Sequence, residues 1–169
     1  ISFSDKNVLD VGTASGFLAF ESEKRGARVI GVDMGITDEW GVVPYAKEPI
    51  DNLDLEREML NKANDTSRNQ RITSIKVVRN SFYFAHNKFN SSVKLYQSRI
   101  YDLSPDIGLV DISIIGSILL HLRDPFLALQ KVAEVTKERI VISDLLPSHY
   151  TKPSYFNKSS KRNACLQFL

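Results

Sequence analysis

Short apolar runs alternate along the chain with longer segments that have a helical repeat or a helix-favouring composition. Five runs are present, at residues 8–11, 28–32, 93–97, 109–115 and 139–143. Their length and apolar character are typical of strands that are covered on both faces. Helical segments are predicted at residues 17–25, 53–63, 72–89 and from 125 onward. This alternation predicts an α/β fold with a doubly wound parallel sheet and right-handed crossovers.

The last two predicted helices have the clearest sequence signals. Asp124 is a typical N-cap, and Pro125 occupies the first helical position, which proline favours. The apolar face of this helix is predicted at Phe126, Leu129, Val132, Ala133 and Val135 or Thr136. The face of the helix at 72–89 is predicted at Ile72, Ile75, Val78, Phe82, Ala85 and Phe89. Because positions 82–84 are three consecutive aromatic residues, we expect one ring to be exposed or covered by the loop that contains Trp40.

The domain organisation is predicted to be one core with a tail. The core covers residues 1–146 and contains a loop-rich insertion at 35–66, which includes Trp40 and two prolines. Long loops in compact domains are often functional. The tail at 147–169 is polar and basic, and we expect it to pack poorly apart from a short helix around 155–168.

The segment after the first predicted strand carries the main functional signal. Asp10 ends the strand, a turn with Gly12 and Gly16 follows, and Asp33 ends the second strand. Glycines let a ligand approach the backbone, and an acid at the end of the second strand can accept hydrogen bonds from both ribose hydroxyls. A dinucleotide fingerprint would need a third glycine where this chain has Phe17, which we take as too large for close helix–strand packing. An acid two residues before the first glycine suits S-adenosylmethionine (SAM), which has an ammonium group and no phosphate.

These residues carry a resemblance to a known family. The motif Leu-Asp-Val-Gly-Thr-Ala-Ser-Gly-Phe at 9–17 and the segment Gly-Ser-Ile-Leu-Leu-His-Leu-Arg-Asp-Pro at 116–125 resemble class I SAM-dependent methyltransferases. They are closest to the branch of the wobble-uridine tRNA (carboxy)methyltransferases. The resemblance covers residues 6–144, with a poor match at 35–66. It implies a Rossmann-like core with seven strands, and the chain lacks sequence for the last two, so we expect it to be a piece of a longer protein.

The resemblance also implies a set of cofactor-binding residues. The methionine part of SAM would lie on Asp10, Gly12, Thr13, Ala14 and Gly16. The ribose would lie on Asp33, the adenine on Met34 and Ile100, and the transferred methyl near Gly116 and Ser117. The chain departs from the family at Arg99, where an acid often contacts the adenine amino group, because arginine cannot accept a hydrogen bond. Either Asp102 replaces that acid, or backbone and apolar contacts alone hold the adenine.

His121 is the candidate catalytic residue. An imidazole titrates near neutral pH and can serve as a general base. The alternative is a histidine that only orients the loop around Arg123 and Asp124. Methyl transfer often needs only alignment and desolvation, so the reaction does not demand a base.

Composition bears on three further properties, namely membrane spans, cellular compartment and metal sites. No apolar run is long enough to span a bilayer, and the single cysteine, Cys165, fits a reducing compartment, so we expect a cytoplasmic protein. The three histidines and the cysteine have no paired spacing, so we expect no metal site.

Charge is unevenly distributed although the net charge is only +2. Residues 66–101 contain no acid but seven basic side chains, which makes the stretch at 68–99 a candidate contact for RNA. A solvated helix face explains the same pattern. The sequence therefore predicts a SAM-dependent methyltransferase acting on RNA or a small metabolite; the alternative is a non-catalytic module with this fold that serves as a binding or scaffold partner. The oligomeric state stays open, as does the choice between methyl and carboxymethyl transfer.

Overall fold

The computed structural model describes residues 2–36, 38 and 54–144, together with two short strands in the tail. Side chains in the long helix are described from Ile72 onward. The predicted loop around Trp40 and most of the tail lie outside the described residues.

The core is a five-stranded sheet in which every neighbouring pair is parallel. Its strands are β1 (Asn7–Val11), β2 (Arg28–Asp33), β3 (Lys94–Gln97), β4 (Val110–Gly116) and β5 (Thr136–Ser143). They are arranged in the order β3-β2-β1-β4-β5. From β1 the chain adds β2 and β3 on one side of the sheet, and it then adds β4 and β5 on the other side of β1. The predicted doubly wound α/β architecture is therefore confirmed.

Three α-helices cover the two faces of this sheet. They are α1 (Phe17–Lys24), α2 (Asp54–Phe89) and α3 (Pro125–Val135). On one face, α1 and α2 bury Phe20 and Phe82 against Val8 and Val29. On the other face, α3 packs its buried side chains on a core cluster that contains Leu9, Val11 and Ile115. With both faces covered, the central strands are mostly apolar, as the sequence predicted, with Asp10 and Ser113 as buried polar exceptions.

The helix α2 differs from the prediction. We expected a loop-rich insertion to residue 66 and two helices separated at 64–71, but one helix of 36 residues covers the whole segment. The polar residues at 64–67 lower helix propensity without stopping a helix, and residues 54–89 contain neither proline nor glycine. Of the three consecutive aromatic residues, Phe82 is buried, whereas Tyr83 and Phe84 are exposed.

The end signals of α3 are confirmed, but part of its predicted face is wrong. Asp124 accepts a hydrogen bond from the backbone N–H of Leu127 (2.9 Å), as an N-cap does. The side chains that α3 buries are Pro125, Ala128, Val132 and Val135. Phe126 is 68% exposed and Ala133 is exposed. The buried stripe is thus rotated by about one position, because the helix starts with Pro125 rather than Phe126 against the core.

Two short segments of the tail form strands. β6 (Tyr155–Phe156) and β7 (Leu166–Gln167) pair with each other in antiparallel orientation. The helix predicted around 155–168 is therefore wrong at these positions.

None of the helices in the described part of the chain combines the length and the apolar character of a membrane span.

Candidate cofactor site

A cleft of about 510 Å³ opens where the carboxyl ends of the parallel strands meet α2. It lies at the point where the strand order reverses, which is where open α/β sheets bind ligands. Its walls come from the segments after β1, β2, β3 and β4 and from one side of α2. The predicted site residues that line it are Gly12, Ala14, Asp33, Met34, Ile100, Gly116, Ser117 and His121. Asp10, Thr13 and Gly16 are not among the lining residues.

The turn after β1 is held against β2 by its backbone. The N–H groups of Gly12 and Thr13 both donate to the carbonyl of Val32, at 2.8 and 3.0 Å. Gly12 has a φ of +73°, and a Cβ at this position would lie 2.5 Å from Cδ1 of Ile118. The backbone angle therefore favours glycine here, and a side chain at this position would also have to displace the end of the Ile118 side chain.

Beneath the turn, Asp10 is buried rather than directed into the cleft. Its side chain is 2% exposed, and its Oδ2 accepts a hydrogen bond from Oγ1 of Thr13 (2.8 Å). Burial raises the pKa of Asp10 to about 6, although the Thr13 hydroxyl opposes this shift. Thr13 fits over β2 because Gly31 has no Cβ, and one would lie 2.9 Å from the Thr13 hydroxyl. In this structure Asp10 supports the turn, and its contact with a ligand ammonium stays a prediction.

Gly16 has a packing role. It precedes α1 with a φ of +87°, and its N–H donates to the carbonyl of Thr13 (2.7 Å). A Cβ would lie 2.5 Å from the ring of Phe20 and 2.7 Å from that of Phe82. The close packing that we assigned to position 17 occurs at Gly16, and Phe17 is 69% exposed. The argument from the size of Phe17 against a dinucleotide is therefore wrong.

Asp33 connects the turn after β1 with the turn after β2. Its Oδ2 accepts a hydrogen bond from the N–H of Ala14, and its Oδ1 accepts one from the N–H of Met34, both at 2.8 Å. A carboxylate oxygen can accept two hydrogen bonds, so each oxygen of this cleft residue retains one acceptor position. The backbone thus fixes the orientation of this carboxylate without using up its capacity.

Two lining residues that are not glycine adopt left-handed backbone conformations. Ala14 and Ser117 each have a φ of +50° and lie after β1 and β4, respectively. The N–H of Ser117 donates to the carbonyl of Ser143 (2.8 Å), which anchors this turn on β5. Such conformations cost free energy and cluster at functional sites. No feature of the sequence predicted either conformation.

Arg79 on α2 is a cleft residue that sequence reasoning missed. The residue is 5% exposed, and its Nη2 donates to the carbonyl of Met34 (2.6 Å). Its Nη1 is buried and has no hydrogen-bond partner among the described residues. Its place in an acid-free basic stretch indicated a surface cation, so no feature of the sequence pointed to burial.

The segment after β3 brings Arg99, Ile100 and Tyr101 to the cleft. Arg99 lies 3.7 Å from Oδ2 of Asp102, and both side chains are largely exposed. Asp102 does not line the cleft. Of the two alternatives for holding an adenine, replacement of the acid by Asp102 is therefore not supported.

His121 lies in the short 3-10 helix Leu119–His121 at the cleft margin. Partial burial lowers the pKa of His121, and the charge of Asp144 opposes this shift. The imidazole is therefore mostly neutral at pH 7 and able to accept a proton. Among the described residues, no group of histidine, cysteine or acidic side chains is arranged to hold a metal ion.

Comparison with known proteins connects this architecture to solved structures. No protein-family model and no curated protein matches the chain. Among solved structures, the cyclase SpnF superimposes with a TM-score of 0.57 at 14% identity, covering 89% of this chain and 42% of its own. The magnesium protoporphyrin IX methyltransferase ChlM from Synechocystis PCC 6803, with bound SAM, gives 0.54 at 13% identity and covers 89% and 54%. A SAM-dependent methyltransferase from Aquifex aeolicus gives 0.52 at 18% identity and covers 89% and 62%.

These likenesses concern the fold, because identities below 20% do not carry residue roles from one protein to another. The chain spans between two fifths and two thirds of the length of the three structures. They share a fold although one is named a cyclase and two are named methyltransferases. The chain thus has the Rossmann-like α/β fold that these SAM-dependent methyltransferases share.

Proposed function

We propose that the chain binds SAM in this cleft and belongs to a SAM-dependent methyltransferase. The observation that carries the proposal is the carboxylate of Asp33, which lines the cleft, is fixed by two backbone N–H groups and can accept further hydrogen bonds. An acid in this place, next to a glycine turn at the strand-order reversal, suits the ribose of a nucleoside ligand. SAM, when bound, would supply an electrophilic methyl group.

The remaining parts of the cofactor can be assigned to the cleft walls. Met34 and Ile100 would contact the adenine, since both line the cleft next to Asp33. Gly12 and Ala14 would approach the methionine part, and Gly116 and Ser117 would border the methyl group. Asp10, Thr13 and Gly16 would act indirectly, by holding the turn in shape.

The chain's own contribution to methyl transfer would be alignment and exclusion of water. Strained turns at Ala14 and Ser117 hold the two sides of the cleft in fixed positions, which favours proximity effects. His121 is in place to accept a proton from an acceptor that loses one, and its lowered pKa keeps it neutral near pH 7. The proposal does not depend on this step.

The acceptor is proposed to be RNA or a small metabolite. Exposed basic side chains on α2 and around β3, namely Lys76, Lys88, Lys94 and Arg99, support an RNA contact. Arg79 belongs to the same basic stretch but is buried, so it cannot contact a phosphate backbone. The basic surface for RNA is therefore smaller than the sequence stretch at 68–99 indicated.

A non-catalytic role for this fold is the second candidate. It is favoured by Arg99, which replaces an acid expected in the family. Calorimetric titration measures whether the chain binds SAM, and a protein that binds no nucleoside would fit neither the methyltransferase nor a non-catalytic SAM-binding module. Turnover of bound SAM by the longest available form of the protein separates a methyltransferase from a non-catalytic module.

A further inference from the structure

Arg79 combines burial, charge and an unsatisfied donor in the wall of the cleft. Its Nη2 is committed to the carbonyl of Met34, whose N–H donates to Asp33. Its Nη1 lies in the interior without a partner among the described residues. A buried donor without an acceptor lowers the stability of the fold, and more so when the group is charged. A ligand that presents an acceptor at this point would remove that cost.

The neighbourhood of Arg79 indicates which part of a ligand would reach it. Ile75 and Val78, one turn and one residue before it on α2, line the cleft together with Ile100. These apolar side chains form a surface suited to a flat aromatic ring rather than to a hydrated phosphate. The carboxylate of Asp33, joined to Arg79 through Met34, also disfavours an anionic group here.

The hydrogen-bonding groups of this wall determine which atoms of a bound aromatic ring they can contact. Arg79 and Arg99 are donors only. Asp102, the acid closest in sequence, is paired with Arg99 and does not line the cleft. The two guanidinium groups therefore offer donors to a nucleobase, and these donors can pair with ring nitrogens but not with an exocyclic amino group.

We propose that Arg79 recognises the nucleobase, with Nη1 donating a hydrogen bond to an adenine ring nitrogen while Nη2 holds the carbonyl of Met34. This inference rests on the proposed function, because it places the adenine of SAM between Met34 and Ile100. It differs from recognition through an acid, since the base is read by its acceptors. Arg79 becomes a specificity-determining residue of the cofactor site.

The test uses calorimetric titration with S-adenosylhomocysteine and its 1-deaza, 3-deaza and 7-deaza analogues, each of which replaces one ring nitrogen by C–H. One analogue is expected to bind wild-type protein about ten- to hundredfold more weakly than the parent compound, because a hydrogen bond to a charged group is lost. The other two should bind within about threefold of the parent, a change below the effect of a lost hydrogen bond.

The Arg79→Met variant should remove that discrimination. Parent and weak-binding analogue should then have equal affinities, even if both bind less tightly because Met34 is no longer held. The matched control is Lys76→Met, which removes an exposed cation from the same helix outside the cleft and should preserve the discrimination. Circular dichroism checks that each variant is folded, and the analogue series on wild-type protein needs no variant.

The outcomes separate this inference from the proposed function. If the parent compound does not bind wild-type protein, both are overturned. If it binds but no analogue is discriminated, or if Arg79→Met discriminates as wild type does, only the role of Arg79 is overturned.

Discussion

The two walls of the cleft are built on different physical principles. The loop wall is formed by the turns after β1, β2 and β4. Its polar groups have hydrogen-bond partners within the protein, as seen at Asp33, Thr13 and Ser117. On the helix wall, formed by α2 and the segment after β3, Arg79 has a buried donor without a partner among the described residues. Arg99 makes a 3.7 Å contact with Asp102 and lies 6.0 Å from the centre of the Tyr101 ring. The loop wall is thus preorganised, whereas the helix wall has hydrogen-bonding capacity that a ligand would complete.

The largest effect should come from breaking the shape of the loop wall. Gly12→Val forces a branched side chain onto a φ of +73° and into Ile118, so SAM binding should weaken on the order of hundredfold or more. Gly108→Val is the matched control, because Gly108 has a φ of +88° but no atom within 4 Å of its Cβ position. Titration of both variants should show lost affinity only for Gly12→Val. Equal binding by the two would mean that the turn does not contact the ligand.

The buried support of the loop wall should give a pH-dependent stability. The folded-state pKa of Asp10 is raised from 3.8 to about 6, so its contribution is fully present below pH 4 and is lost as the pH rises through 6. A shift of this size corresponds to about 3 kcal/mol in the free energy of unfolding. Asp10→Asn should lack this loss, and denaturant unfolding at pH 4 and pH 7 measures the difference. A wild-type protein and variant with parallel pH profiles would contradict the account of Asp10.

Removing the connection between the two turns should have a smaller effect on binding. Asp33→Ala deletes the ribose acceptor together with the contacts to Ala14 and Met34, so SAM affinity should fall by about 1–3 kcal/mol. Asp102→Ala is the control, since Asp102 is exposed and does not line the cleft. Calorimetry measures the SAM affinity of both variants, Asp33→Ala and Asp102→Ala, once each is shown to be folded. A loss that is as large for Asp102→Ala would place the ribose near the helix wall instead.

The smallest effect concerns the outer surface of the helix wall. If the acceptor is RNA, neutralising Lys76 and Arg99 together should lower the slope of log affinity against log salt by about 1.4, or 0.7 for each single-strand phosphate contact. Neutralising Lys24 and Arg25, exposed cations on α1 and just after it, is the control. Fluorescence anisotropy with a tRNA over a range of salt concentrations measures both. An unchanged slope in the first variant would favour a small-molecule acceptor.

The sequence predicted the loop wall better than the helix wall, for physical reasons. Apolar runs located all five strands to within a few residues, and the carboxyl ends of parallel strands necessarily bring the turn after β1 and Asp33 together. The length of α2 was not predictable in the same way, because a polar stretch at 64–67 lowers propensity without breaking a helix.

Individual side-chain directions were the least predictable feature. Phe126 is exposed where an apolar residue was expected inside, and Phe17 is exposed although close packing was assigned to its position. Arg79 is buried where a cation was expected outside. Each depends on the rotation of a helix by one position against the sheet, which composition does not specify. Asp10 was identified from its spacing, but its direction beneath the turn follows from the fit of Thr13 over Gly31.

The most direct test of the central claim is calorimetric titration of the wild-type chain with SAM, S-adenosylhomocysteine and NAD under one set of conditions. We predict that SAM and S-adenosylhomocysteine bind in a one-to-one ratio and compete for one site, and that NAD does not displace them. Binding of NAD in preference to SAM, or binding of none of the three, would contradict the assignment of the cleft.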